Sequence, residues 1–384
     1  MDKNTITGII LIFLIFLGFS FYNNHRTGKF FEAEKEYADS LYATGNYDEA
    51  RDSYIRALNF RPKDQPTIDR VTELNRQLGL TPVQQQAATD LTSDTVAPVP
   101  GARQPATADS TAFGVFSARA TGEEEYYTIE NDLMVMKVSA RGGKPYSVLL
   151  KNYNTHDGRP VVLFDGDSTV FGFNFFTIDN KAIRTDELYF TPVDYTGPAM
   201  ATGGPASLTM RLEAEGGASI EYVYTMQPGD YMVNFDTRFN SLSSVIPANA
   251  TSLAIDWRMY VPQQEKGRQN EDMYTGLKYK VYQEDVVDLG GARQRQKKSV
   301  LTENLMKTDW IAYKDQFFSS VLIADGFFLN ATVSSESVDP TSRYLRLFES
   351  EIGVPFVPGG NSEMNMKFYF GPNSFTTMKK YDLQ

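Results

Sequence analysis

Polar and apolar positions divide the chain into stretches of different period. From Ile6 to Tyr22 there is no period at all: ITGIILIFLIFLGFSFY runs without a charge. A helix of that length reaches roughly 26 Å, near the lower limit for a bilayer core. Ile6, Ile9, Leu11, Phe13, Phe16 and Phe19 supply an apolar body and Tyr22 an interfacial aromatic, so a transmembrane anchor is predicted over 1–24. A cleaved signal peptide is the rival reading. It requires a basic start and a small-residue cleavage site, but Asp2 offsets Lys3 and no A-x-A-like site follows. Lys3 on one side and Arg26 and Lys29 on the other leave the orientation unsettled by charge.

Residues 30–78 carry helical spacing. The segment YADSLYATGNYDEARDSYIRALNFRP, Tyr37 to Pro62, resembles one tetratricopeptide repeat, with Ala38, Leu41, Gly45, Tyr47, Ala50, Tyr54, Ala57 and Pro62 at the characteristic positions. The small Ala38 and Ala50 permit close approach of two antiparallel helices, Gly45-Asn46 turns the chain, and Tyr47 and Tyr54 are expected to fill the seam. A third helix is predicted from Asp64 to Leu78, with Ile68, Val71, Leu74 and Leu78 on one face. A single repeat cannot bury a continuous core, which favours a spacer or contact hairpin over a peptide-binding groove. Residues 81–112 are rich in Pro, Ala, Thr, Gln and Asp with almost no large apolar side chain, and a disordered linker is expected over 79–117.

From 118 to 384 the period becomes two. Leu208, Met210, Leu212 and Ala214 alternate with polar neighbours; after Glu215-Gly216-Gly217 the alternation resumes at Ile220, Tyr222, Tyr224 and Met226, a hairpin signal. Tyr231, Val233, Phe235, Thr237 and Phe239, then Leu253, Ile255, Trp257, Met259 and Val261, and finally Met364, Met366, Phe368 and Phe370 repeat the pattern. One buried and one wet face is the mark of antiparallel sheets, and the length implies a large two-sheet sandwich. Two polar loops are expected inside it, Pro262 to Lys278 and the basic GGARQRQKKS of Gly290 to Ser299. Acidic lipid or an acidic partner is one reading of the basic loop; a solvated excursion between strands is the simpler one.

Composition narrows the function. A net charge of -11 on 384 residues excludes binding to a nucleic-acid backbone as the main task. The absence of cysteine removes disulfides, thiolate metal sites and cysteine nucleophiles, and two histidines, His25 and His156, leave little for metal or triad chemistry. A sandwich of this size can host sugar chemistry, which needs paired carboxylates or a histidine acid with a carboxylate base. His156 stands beside Asp157 in a Gly/Pro-flanked turn, with nothing local to orient it. Asp165-Gly166-Asp167 has the look of a metal loop without further ligands, and Glu123-Glu124-Glu125 reads as a solvated charge run. No phosphate loop, nucleophile elbow or zinc helix motif occurs. No catalytic residue, cofactor or metal is expected.

The anchor, together with YTIENDL (Tyr127 to Leu133), Gly142-Gly143-Lys144-Pro145, LLKNY (Leu149 to Tyr153), DWIAYKDQFF (Asp309 to Phe318) and FYFGPNSFTTMKKY (Phe368 to Tyr381), resembles the YidC membrane-protein insertase family in its Bacteroidetes-type form. The resemblance covers 1–24 and about 126–384. It implies a mainly β fold, a large antiparallel β-supersandwich in the periplasm, behind one transmembrane helix with a cytoplasmic N-terminus in the bacterial inner membrane. The repeat-like module is not part of the pattern.

The motif positions Glu130, Asn131, Gly142, Gly143, Asn152, Trp310, Phe317, Phe318, Gly371 and Pro372 read as fold determinants. The glycine pair suits a tight turn with positive φ, Trp310, Phe317 and Phe318 are expected to bury a large apolar area, and Gly371-Pro372 to end the last strand. The implied partners are the Sec translocon with its accessory subunits, the lipid bilayer, and inner-membrane protein substrates received by a helical core. Nothing after the anchor reads as a further span, so the family's groove residues have no counterpart to be carried onto. The implied role is scaffolding of membrane-protein insertion and folding, without bond chemistry. The alternative is a membrane-anchored carbohydrate-binding or carbohydrate-modifying sandwich.

Overall fold

The computed structural model describes residues 31–32, 34–58, 61, 64–77, 110–291, 299–359 and 361–383. The predicted anchor and the basic residues 292–298 lie outside these. Among the described residues no helix is long and apolar enough to cross a membrane. Two compact units are present.

The first is helical: α1 (34–43), α2 (Tyr47–Leu58) and α3 (Gln65–Gln77). Ala38, Ala50, Tyr54 and Leu74 form its buried core, with Leu41 and Val71 against it. The Tyr54 hydroxyl donates to Asp39 at 2.5 Å. Asp64 accepts from the Thr67 N–H at 3.2 Å, satisfying an orphan donor at the start of α3. Tyr47 does not fill the seam. It opens α2 at the surface and packs across the turn on Tyr42, ring centroids 5.4 Å apart.

The second unit is mainly β. Its chain runs through β1 (Tyr126–Asn131), β2 (Met134–Ser139), β3 (Pro145–Asn154), β4 (Pro160–Val162), β5 (Thr169–Phe176) and β6 (Ala182–Arg184). It continues with β7 (Thr191–Val193), β8 (Ala199–Ala201), β9 (Ala206–Glu213), β10 (Ser219–Met226), β11 (Met232–Asn240) and β12 (Ser252–Pro262). Then come the helix α4 (Arg268–Tyr274), β13 (Gly276–Val281), β14 (Val286–Asp288), β15 (Val300–Lys314), β16 (Phe318–Ser337), β17 (Tyr344–Pro355), β18 (Asn361–Pro372) and α5 (Phe375–Lys380).

A five-stranded sheet has the order β4-β3-β2-β1-β8, antiparallel except where β8 joins β1 in parallel. The second sheet branches at β16. One edge of β16 follows β15 along its length. The other edge is shared, 318–324 pairing with β18 and 330–337 with β17. Two wings leave this fork, β17-β12-β5-β6 and β18-β11-β10-β9-β7.

The wings bury their alternating residues against each other. Phe171 of β5 meets Phe235 of β11 and Phe368 of β18 edge-on at 5.4 and 5.2 Å, and Phe173 meets Phe239 at 5.5 Å. Edge-to-face contacts of this kind add to the area that each ring removes from water. Trp257 stacks on Tyr313 at 3.8 Å, and the Tyr313 hydroxyl donates to the Trp257 carbonyl.

The β unit begins earlier than 118. Ser110–Arg119 forms kinked 3-10 turns that bury Phe113 and Phe116, the latter edge-on to Phe175. These two phenylalanines stand at the end of an otherwise apolar-poor stretch, and compositional averaging hides them. The polar segment 262–278 is likewise no plain loop. It contains α4 and runs into β13.

Candidate functional site

The motif positions gather where the small sheet meets the large one. Asn131 ends β1 and is fully buried. Its Oδ1 accepts from the Leu133 and Met134 N–H groups at 2.9 and 3.0 Å, shaping the β1–β2 turn. Its Nδ2 donates to the carbonyls of Gln227 and Asp230 at 2.8 and 2.7 Å, in the β10–β11 turn of the other sheet. All four hydrogen-bonding capacities of the amide are used. Glu130 pairs with Lys151 of β3 at 2.5 Å, and that ammonium also donates to the Asn131 carbonyl at 2.6 Å.

Gly142 and Gly143 turn β2 into β3 with φ of +83° and +60°. The Gly142 N–H donates to Leu188 at 2.7 Å, and the buried Tyr224 hydroxyl of β10 donates to the Gly143 carbonyl at 2.7 Å. A Cβ on Gly143 would lie 2.8 Å from the Phe190 ring. Both small-sheet turns are thus bonded to other parts of the β unit through polar contacts. Asn152 is exposed on β3.

At the other motif cluster Trp310 and Phe318 are buried, and Phe318 meets Tyr153 of β3 edge-on at 5.2 Å. Phe317 is not buried. It is 49% exposed at the β15–β16 corner, because the turn that sends Phe318 inward sends its neighbour out. Gly371 has no room for a side chain, a Cβ lying 2.9 Å from the Tyr231 ring, and Pro372 ends β18.

The next residue, Asn373, has a role that its sequence position does not announce. Its Nδ2 donates to the carbonyls of Asp315 and Phe318 at 3.1 and 3.0 Å, its Oδ1 accepts from Ser319 at 2.6 Å, and its N–H donates to the Phe317 carbonyl at 2.7 Å. Its presence in the FGPNSF motif was the available signal.

The same region holds two buried carboxyl groups. Glu271 of α4 accepts from the N–H groups of Gln264 and Glu265 at 2.8 and 3.1 Å. Asp315 accepts from the Gln316 N–H at 2.6 Å and from the Thr275 hydroxyl at 3.1 Å, while that hydroxyl also reaches the Glu271 carbonyl at 2.9 Å. Burial, reinforced by Asp315, pushes the Glu271 carboxyl up to about 8. Burial likewise raises Asp315, to about 6, against the pull of its Gln316 and Thr275 donors. Arg346 of β17, itself buried, holds the neighbouring Asp272 through two contacts of 2.8 and 3.0 Å. Arg268 donates to the carbonyls of Ser342 and Tyr344 at 2.7 and 2.5 Å. A short helix in a polar segment is thereby locked to the sheet.

The chemical candidates are held structurally. The His156 ring is exposed, with Nδ1 3.0 Å from the Gln264 carbonyl; a backbone carbonyl occupies the place that a carboxylate orienter would need. Asp165 receives Arg343 through contacts of 3.1 and 3.4 Å. Among the described residues no three His, Asp or Glu side chains converge as a metal-binding group.

Open grooves also lie among the described residues. One of 630 Å³ is lined by Asn174, Phe176, Arg184, Asn330, Thr332 and Glu351, with Arg184 engaged by Asp186, Glu187 and Asp256. Another, of 460 Å³, opens where β17 and β18 part from β16, between Phe327, Val354, Val357, Met364 and Met366.

Comparison with known proteins agrees with the motif reading. The family model described as the YidC periplasmic domain matches residues 126–384. The membrane protein insertase YidC of Parabacteroides distasonis is 32% identical over 382 residues, covering 100% of this chain and 53% of its own length. That of Phocaeicola vulgatus is 33% identical over 379 residues, covering 98% and 52%. The chain spans about half the length of the curated relatives it matches.

Among solved structures, a galactose mutarotase-like protein from Lactobacillus casei aligns with a TM-score of 0.42 at 12% identity, over 64% of this chain and 100% of its own. A TPR-domain containing protein from P. distasonis aligns with a TM-score of 0.43 at 12% identity, over 65% and 47%. Over residues 126–384, and at this identity along its length, the chain belongs to the YidC membrane protein insertase family.

Proposed function

We propose that this chain is the anchor and periplasmic portion of a YidC-type insertase. It acts as a scaffold for insertion and folding of inner-membrane proteins beside the Sec translocon, with its N-terminus in the cytoplasm. The match of the periplasmic-domain model over 126–384 carries this reading. The site residues support it. Asn131, Gly143 and Asn373 are engaged in holding turns and sheets together, the role expected of a rigid scaffold.

The non-enzymatic part of the reading rests on what the chemical candidates do. His156 is turned to a carbonyl and Asp165 to an arginine, so neither is poised for acid–base work. The anchor over 1–24 supplies the tether, and 30–78 and the following linker set the distance from it.

The test is photocrosslinking in native membranes, with probes placed on exposed residues along both grooves, such as Phe176 and Val357. Adducts with Sec translocon subunits or nascent inner-membrane proteins are expected. Adducts with neither, together with glycan binding or mutarotation by the same preparation, would overturn the reading in favour of a carbohydrate module.

A further inference from the structure

We propose that the corner formed by the β15–β16 turn, the end of α4 and α5 is a docking surface for an anionic phospholipid bilayer. The proposal rests on the membrane-tethered reading above and deepens it by naming a lipid-facing site on the β unit.

Three segments are bonded together there. Asn373 holds the 315–318 turn against the end of β18, one residue before the Ser374 cap of α5. The Lys314 ammonium donates to the Tyr274 carbonyl at the end of α4, at 2.9 Å, and to the Asp315 carbonyl at 3.1 Å. The corner therefore presents its side chains from a fixed frame.

Those side chains are of the wrong kind for a water-facing loop. Phe375 is 68% exposed, Tyr274 52% and Phe317 49%, beside Met273. The same elements bring cations. Lys379 and Lys380 form the last turn of α5, and the Lys379 ammonium stands 5.8 Å from the centre of the Phe375 ring. Of the nearby acids, Asp230 is engaged by Lys380 at 3.6 Å, Asp382 by Lys280 at 3.5 Å with the half-buried Asp309 beside them, and Asp272 by Arg346, while Asp315 lies within the fold.

Aromatic rings with lysines reaching past them are the pattern that settles at a headgroup layer, the rings at the acyl boundary and the ammonium groups among phosphates. Although the whole chain carries a net charge of -11, Lys379 beside the uncovered Phe375 ring gives this corner local complementarity to an anionic headgroup layer.

The chain has no cysteine, so single-cysteine probes are clean. Full-length Phe317→Cys and Phe375→Cys, labelled with an environment-sensitive fluorophore, are reconstituted in phosphatidylcholine–phosphatidylglycerol vesicles beside Met306→Cys and Phe176→Cys, which are similarly exposed elsewhere. Matching circular dichroism establishes that all four are folded. The expected result is blue-shifted emission at 317 and 375, quenched by spin-labelled lipid, with aqueous emission at 306 and 176. The shift should be lost in pure phosphatidylcholine and in the Lys379→Glu background.

Aqueous emission at all four positions, in a chain that still floats with the vesicles, overturns the docking surface and leaves the tethered reading standing. A blue shift without lipid quenching marks a protein contact and also overturns it. Failure to float overturns both.

Discussion

Asn131 and Asp230 stand 99 positions apart in sequence, yet the Asn131 Nδ2 donates to the Asp230 carbonyl at 2.7 Å. The bond ties the turn that closes β1–β2 in one sheet to the turn that closes β10–β11 in the other. Replacing Asn131 with Ala strands two carbonyls and two N–H groups in a buried place, and the domain should lose roughly 3 kcal/mol or more. Asp keeps the acceptor half but turns a carboxylate on two carbonyls, so Asn131→Asp should be at least as damaging at neutral pH. Urea unfolding of both variants checks this; wild-type midpoints would remove Asn131 from the account.

The glycine pair makes a steric prediction. At Gly143 a side chain meets both the positive φ and the Phe190 ring, whereas at Gly142 the nearest obstacle is the Asp186 backbone at 3.1 Å. Left-handed backbone costs about 1–2 kcal/mol in a non-glycine residue and overpacking about 1–3 more. Gly142→Val/Gly143→Val should therefore unfold the β unit, with loss of β signal in circular dichroism and rapid proteolysis. A folded double variant would contradict the geometry of this turn.

Glu271 and Asp315 make stability depend on pH in an unusual direction. Both are acids whose carboxyls are raised in the folded state. Their contribution is present below the ordinary carboxyl range and is lost as pH rises through the folded values, about 6 for Asp315 and about 8 for Glu271. The thermal midpoint should fall between pH 5 and 8.5, where most carboxylate pairs give no change. Asp315→Asn, which cannot ionise, should flatten that slope. An unchanged slope in this variant would assign the dependence to other groups.

The Arg346–Asp272 contact should be worth more than a surface ion pair. Arg346 is buried, and removing Asp272 takes from it the carboxylate that it holds through contacts of 2.8 and 3.0 Å. Asp272→Ala should cost about 3 kcal/mol, reduced in proportion to the partial exposure of Asp272, whereas Arg258→Ala, on an exposed pair with Glu349 at 3.7 Å, should cost less than about 1 kcal/mol. Thermal unfolding of the two single variants decides between these magnitudes.

Much of the β unit is legible because burial there has a period. Leu208–Leu212 and Ile220–Met226 form β9 and β10 about the Glu215-Gly216-Gly217 turn, where Gly216 and Gly217 both take positive φ. The alternation of Leu253 to Val261 falls inside β12. What resists reading is set by partners far along the chain. Nothing local shows that β16 changes neighbour from β18 to β17, since the fork is a property of register. Glu271 in a polar run resembles any solvated glutamate until Gln264 and Glu265 close over it. Phe317 and Phe318 look alike in sequence, and only the corner between β15 and β16 decides which is buried. Asn373 sits in the FGPNSF stretch, next to a Gly-Pro pair that accounts for the strand end by itself. Its staple to 315–318 becomes visible only in three dimensions.

The role proposed for this chain is in membrane-protein insertion. The most direct measurement is pulse-labelling of inner-membrane proteins in cells in which its gene is repressed, with protease accessibility from the periplasm as the readout of integration. Integration of at least some substrates is expected to fall within one depletion period and to return when the native gene is restored, but not when the restored gene carries Asn131→Ala. Integration that proceeds unchanged through depletion would contradict this role.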